Sequence, residues 1–217
     1  MKKLYAAFVS LLAVAAFAVL PAVAQAQPHW YSNGVRIAGS KKVTVTTKGA
    51  LDWQLLGAEL TCKVKDKGTI ENSAPGGATG PAGIDSITEW VTTECVAVPA
   101  VCAAGETLEI NPGKLPWATL LLAGPPIRDE IKGMEIRFEC NKAGVKTVID
   151  VFTGNLTPKF VNGAPVTTCK EATDSFLEFD EPGSGFLTDP GGNKVVPSGN
   201  DFVEGPAGDR CITAKNP

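Results

Sequence analysis

Between Met134 and Cys140, the residues Met134, Ile136, Phe138 and Cys140 alternate one for one with Glu135, Arg137 and Glu139. A repeat of two marks a strand with one face in a core and the other in water, so Cys140 points inward. Leu60, Cys62 and Val64 alternate in the same way with Thr61, Lys63 and Lys65. Two inward cysteines on two half-buried strands confine the chain to a β architecture cross-linked through its interior.

The rest of the body agrees with this. Strand-like runs occur at Lys42 to Thr47, Leu51 to Leu55, Ile84 to Val96, Thr107 to Ile110, Ile127 to Lys132 and Thr147 to Thr153. Between them lie the turn formers Lys48-Gly49, Asp66-Lys67-Gly68, Asn111-Pro112-Gly113, Gly124-Pro125-Pro126 and Ala143-Gly144. This spacing predicts an all-β antiparallel sandwich or barrel. Helix is expected at most as a short turn over Trp117 to Leu122. Residues 161–217 carry eight glycines and six prolines, a composition that predicts a loop-rich annex. Strands are expected in it at Ser175 to Asp180 and around Lys194 to Val196. The predicted organisation is a signal peptide over 1–26, a β core over 27–160 and the annex over 161–217 packed on that core.

The leader has its own pattern. Lys2 and Lys3 precede an apolar run from Leu4 to Leu20, and Ala22-Val23-Ala24-Gln25-Ala26 places small residues for cleavage after Ala24 or after Ala26. That is the pattern of a secretory signal peptide, and the run is short for a membrane anchor. The expectation is a secreted or cell-surface protein with no stable membrane span after cleavage. Of the 20 basic and 23 acidic residues only Lys2 and Lys3 lie in the leader, so the mature chain has 18 basic residues and a net charge of −5. Mild acidity, with no concentrated basic face, speaks against a nucleic-acid partner.

All six cysteines follow the leader, and an even number in an exported chain predicts three disulfides. Six cysteines can pair in 15 ways. Cys95 with Cys102 would close the short loop between them, and Cys62 with Cys140 follows from their shared inward facing. Cys169 with Cys211 is the remainder. No Cys-x-x-Cys is present, and the single histidine, His29, lies near the mature terminus, so no metal is expected. Nor does any motif call for a cofactor.

Several short elements together carry a resemblance: Trp30 to Val35, Thr61-Cys62, Glu94-Cys95, Leu115-Pro116-Trp117, Phe138-Glu139-Cys140 and Ser175 to Phe179. In this combination the chain resembles a group of exported β-rich proteins of high-GC Gram-positive (actinobacterial) bacteria that carries no assigned activity. The resemblance implies an exported β protein and no particular site.

Catalytic constellations are scarce. A serine or cysteine nucleophile needs a base within reach, and the one candidate, His29, falls in a segment expected to be mobile. The glycine-rich stretch from Ser73 to Gly83 lacks the Gly-Lys-Ser/Thr of a phosphate loop and includes Pro81, so it reads as a loop between strands. Carboxylates could still cleave glycosides without histidine; Glu89 and Glu94 on one run, with Glu178, Asp180 and Glu181 on another, are the acids to consider. Oxygen ligands for calcium occur at Asp189 to Asn193 and at Asn200-Asp201, although the first is also an ordinary turn sequence.

Aromatic residues suggest binding more than catalysis. Trp53 alternates with Leu51 and Leu55 and belongs to the core. Trp90 shares its face with Ser86, Thr88, Thr92 and Glu94, so strict alternation exposes it, while a bulge in the run would reverse the assignment. Trp90 and Trp117 are therefore the candidate ligand-stacking residues. The reading preferred from sequence is a non-catalytic exported module acting by interaction at the cell envelope or beyond it, on a protein or a polysaccharide. A carbohydrate-binding module and a carboxylate-dependent glycoside hydrolase are the alternatives.

Overall fold

The structure, a computed structural model, describes residues 27–55, 57–74, 82–163, 175–179, 183–206 and 211–216. Within them the chain forms β1 (His29–Ser32), β2 (Val35–Arg36), β3 (Val43–Leu55), β4 (Ala58–Ala74), β5 (Ala82–Val98), β6 (Thr107–Pro112), β7 (Trp117–Leu122) and β8 (Arg128–Lys142). It continues with β9 (Val145–Leu156), β10 (Lys159–Val161), β11 (Ser175–Phe179), β12 (Gly185–Thr188), β13 (Lys194–Val195), β14 (Pro197–Glu204) and β15 (Ile212–Lys215).

Twelve strands form one antiparallel sheet that closes on itself. Its closed ring runs β10-β11-β14-β3-β4-β5-β7-β8, and β10 meets β8 at Lys159 and Arg128 to complete an eight-stranded barrel. Beyond the ring, β8 runs on to pair with β6 and β9, β9 pairs with β12, and β12 with β13. A bulge makes this double use possible. The β8–β9 register shifts between Ile131 and Met134 around Gly133, whose φ of 62° suits glycine, and Asn155 Oδ1 accepts the Gly133 N–H at 2.9 Å. A separate sheet, β15-β1-β2, brings the first and last strands together.

Alternation builds the interior. Val45, Leu51, Trp53 and Leu55 of β3 face Leu60, Cys62, Val64 and Ile70 of β4, all at most 5 % exposed. Phe138 sits between Trp53 and Phe152, with ring centroids at 6.1 and 5.5 Å. Two turn signals are absorbed into strands, since Lys48-Gly49 lies inside β3 and Asp66-Lys67-Gly68 inside β4. Their glycines serve close approach instead: a Cβ on Gly49 would collide with the Asn200 backbone, and one on Gly68 with the Ser86 carbonyl. The expected helical turn at Trp117 to Leu122 is the strand β7, a barrel stave with Trp117, Thr119 and Leu121 facing inward.

The stretch expected as an annex is part of the wall. β11 and β14 stand between β10 and β3, so the ring cannot close on residues 27–160 alone. His29, expected in a mobile terminus, is 1 % exposed and pairs with Lys215 across the β1–β15 ladder.

The disulfides differ from the expected pairs. Cys62 joins Cys95, and Cys102 joins Cys140. Strict alternation misled here because β5 carries two irregularities. Its register against β4 slips once near Thr88 and again at Glu94, a non-glycine residue with φ 52°. The second slip leaves Glu94 and Cys95 opposite Cys62 alone, which brings Cys95 to its partner across the ladder. Cys102 then lies in the loop after β5 and reaches β8. Cys211 is also disulfide-bonded; the expected partner, Cys169, lies outside the described residues, as do the leader, Pro81, Asp180 and Glu181.

Candidate functional site

Two features could carry a function: a carboxylate cluster inside the barrel and a cleft in its wall. The cluster follows from alternation carried further than the sequence pattern shows. β4 continues past Val64, so Asp66 falls on the inward face with Leu60 and Cys62 and is 6 % exposed. Asp129 of β8 and Asp201 of β14 are each 2 % exposed, and one oxygen of Asp85 in β5 is shut off from solvent. Thr47 Oγ1 donates to Asp201 Oδ2 at 2.5 Å. Asp66 and Asp201 lie within hydrogen-bonding reach of one another.

Burial dominates the electrostatics of all four. It raises the Asp66 carboxyl above its usual range, with the neighbouring Thr47 hydroxyl and Asp201 carboxyl pulling the other way. It lifts Asp85 well above that range, helped by the charges of Asp129 and Asp66. Asp129 is pushed up to about 7, first by burial, against the neighbouring Thr119 hydroxyl and with the charges of Asp66 and Glu130 adding to the rise. Asp201 is lifted well above the carboxylate range by burial and then by Asp66. Two internal cavities of about 20 Å³ each adjoin the cluster, with Asp66 lining both. Each has room for a water molecule and none for a sugar ring.

The cleft opens where two strands part. β5 pairs with β7 only from Ile84 to Ile87, and β6 pairs with β8 alone. Between β5 and β6 the contact is made by a side chain: Thr92 Oγ1 donates to the Ile110 carbonyl at 2.8 Å and accepts the Ile110 N–H at 3.3 Å. Beyond that bridge lies a cleft of about 520 Å³, lined by residues 95–97 and 100–108. Glu106 is the one charged side chain in the lining, and it accepts the Ala103 N–H at 3.2 Å. Val96, in the lining, is 59 % exposed, and Val98, two residues on in β5, is 68 % exposed. Both ends of the segment are pinned, Cys95 to β4 and Cys102 to β8.

Residues singled out from sequence fall elsewhere. Trp90 is 7 % exposed and Trp117 1 %, with ring centroids 5.8 Å apart. They pack against each other in the core, which corrects their assignment as ligand-stacking residues. The slip near Thr88 turns Trp90 inward beside Ile87. Glu89, Glu94 and Glu178 lie on outer faces, in ion pairs with Lys67, Lys63 and Lys159. They converge on nothing. Asp189 uses both oxygens to hold Asn193, on its N–H at 2.7 Å and its side-chain amide at 2.6 Å, which closes a turn. Asn200 is exposed while Asp201 is buried, so those two do not share a site. The one trio with metal-ligand spacing among the described residues is Cys102, Glu106 and Cys140, whose sulfurs are joined in a disulfide. A second, polar cleft of about 560 Å³ lies by Asp52, Gln54, Glu59, Thr61 and Ser198.

No family model, no curated protein and no solved structure matches the chain.

Proposed function

We propose that the protein is a non-catalytic, exported module that acts by binding another protein, and that it does so at the cleft between β5 and β6. The observation that carries this reading is the pinned segment 95–102. It is apolar, it borders an open cleft, and disulfides fix both of its ends. A surface held in one conformation loses little entropy when it is covered, which favours binding. Val96 and Val98 supply apolar area that the barrel itself does not use. The lining has little to offer a polysaccharide, since it holds one carboxylate and no exposed tryptophan or tyrosine.

The test is capture from the extracellular and envelope fractions of the source cell with the mature, oxidised protein. Two variants are run alongside, Val96→Asp at the cleft and Val145→Asp at the start of β9. Capture of the same protein by wild type and Val145→Asp, lost with Val96→Asp at unchanged melting temperature, would support the reading. Equal capture by all three would remove the cleft from it. The mature N-terminus, read by mass spectrometry of the culture medium, tests export.

A further inference from the structure

We propose that the barrel interior is a proton-binding site: Asp66 and Asp201 share a proton in the folded protein, Asp85 and Asp129 take up protons beside them, and acid therefore favours the closed barrel. Two ionised carboxylates are acceptors only, so a pair within hydrogen-bonding reach requires a proton between them. Thr47 donates one hydrogen bond, to Asp201 Oδ2, and supplies no charge.

Among the described residues nothing cationic lines the cavities beside the cluster. Taken strand by strand, the polar and titratable groups at the cluster are Thr47 from β3, Asp66 from β4, Asp85 from β5, Asp129 from β8 and Asp201 from β14, with Thr119 of β7 and Glu130 of β8 next to Asp129. β1 contributes Trp30, β10 Phe160 and β11 Leu177; neither cavity is lined by a lysine, arginine or histidine. Arg128, next in sequence to Asp129, gives its guanidinium to the carbonyls of Thr157 and Gly183 at 2.7 and 2.9 Å. Buried charge must be neutralised, and the two available means are protons and a metal ion. Calcium takes six to eight oxygens at 2.3–2.6 Å. Among the described residues no three of these carboxylates bring an oxygen each within 4.8 Å of one another, whereas a shared proton needs only two. The unpartnered oxygens of Asp85, Asp129 and Asp201 are places where a further proton can reside.

The linkage has a definite sign. All four carboxyls are raised in the folded state. A raised carboxyl stabilises the fold at pH below its unfolded value, near 4, relative to higher pH. That contribution fades as pH rises toward the folded value, about 7 for Asp129, while Asp85 and Asp201 are likewise lifted well above the usual carboxylate range.

The test is reversible unfolding of the oxidised protein between pH 4 and pH 9, with Asp201→Asn and Glu94→Gln as variants. For wild type and Glu94→Gln the unfolding constant should rise by about tenfold per pH unit for each proton the fold holds. In Asp201→Asn that slope should be lower by about one proton. Should Asp201→Asn fail to fold, infrared detection of a protonated carboxyl in the wild-type protein at pH 6.5 decides the matter. A flat or rising stability across this range, with no such band, would overturn the proposal. So would full recovery of stability at pH 8 on adding millimolar calcium, which would assign the cluster to a metal instead.

Discussion

Thr92 and Ile110 exchange two hydrogen bonds through a single hydroxyl, and this side chain stands where a strand ladder would otherwise join β5 to β6. The bridge is half-buried, so breaking it leaves the Ile110 N–H and carbonyl short of partners. Thr92→Val keeps the shape and removes the hydroxyl. It should cost about 1–3 kcal/mol, measured by urea unfolding, and should speed amide exchange at Ile110 more than at Leu121.

Phe138 is fully buried between Trp53 and Phe152. Phe138→Ala removes a ring from the part of β8 that pairs with β6 and β9 beyond the closed ring. The expected loss is roughly 3–5 kcal/mol. Calorimetry checks it, and a loss below about 1 kcal/mol would mean that the neighbouring rings close the gap.

The Cys102–Cys140 bond spans 38 residues. In the chain-entropy model a loop of that size is worth about 4 kcal/mol. Replacing both cysteines by serine should lower stability by an amount of that order. It should also free residues 99–106, seen as protease cleavage there and not in β3 or β4. Unchanged cleavage would show that packing alone holds the loop.

Acid stability should pass through an optimum. Glu109 is held at about 2, first by its hydrogen bond to Lys146 and then by Asn141, and Glu135 is lowered first by its hydrogen bond from Arg137. Carboxyls lowered in the fold stabilise it above their unfolded values and lose that effect as pH falls through the folded ones, opposite to the interior acids. The urea midpoint should therefore peak at roughly pH 4 and fall on both sides. Lys146→Met should lower the midpoint at pH 4 and above, which flattens the acid limb, and leave the slope of the neutral limb unchanged. Both Glu109 and Lys146 are substantially exposed, so the effect will shrink in high salt.

Much of this architecture is legible in the chain. Alternation at Leu60 to Val64 and Met134 to Cys140 marks β4 and β8 with their inward cysteines, and Ala143-Gly144 is the turn between β8 and β9. Pairing is not legible, because it depends on bulges. The extra residue in β5 at Glu94 has no marker, since a glutamate with positive φ looks like any other, and it redirects Cys95 from Cys102 to Cys62. The interior acids were hidden differently. Asp66-Lys67-Gly68 has turn composition, yet Asp66 keeps step with Cys62 and Val64, and that parity was the available signal. Asp85, Asp129 and Asp201 come together only through ring closure, which no local pattern encodes.

The seam between β3 and β14 has a consequence for how the molecule is assembled. It joins residues some 150 positions apart, Thr47 to Val203 and Gly49 to Asp201. As a ribosome or translocation pore releases the chain in order, one long edge of β3 stays bare until Pro197–Glu204 emerges. A chain cut short before Pro197 would keep that edge, a template for pairing with other copies. Asp201 arrives on the same strand, so the last stave of the ring to emerge also brings the acid that completes the pair with Asp66.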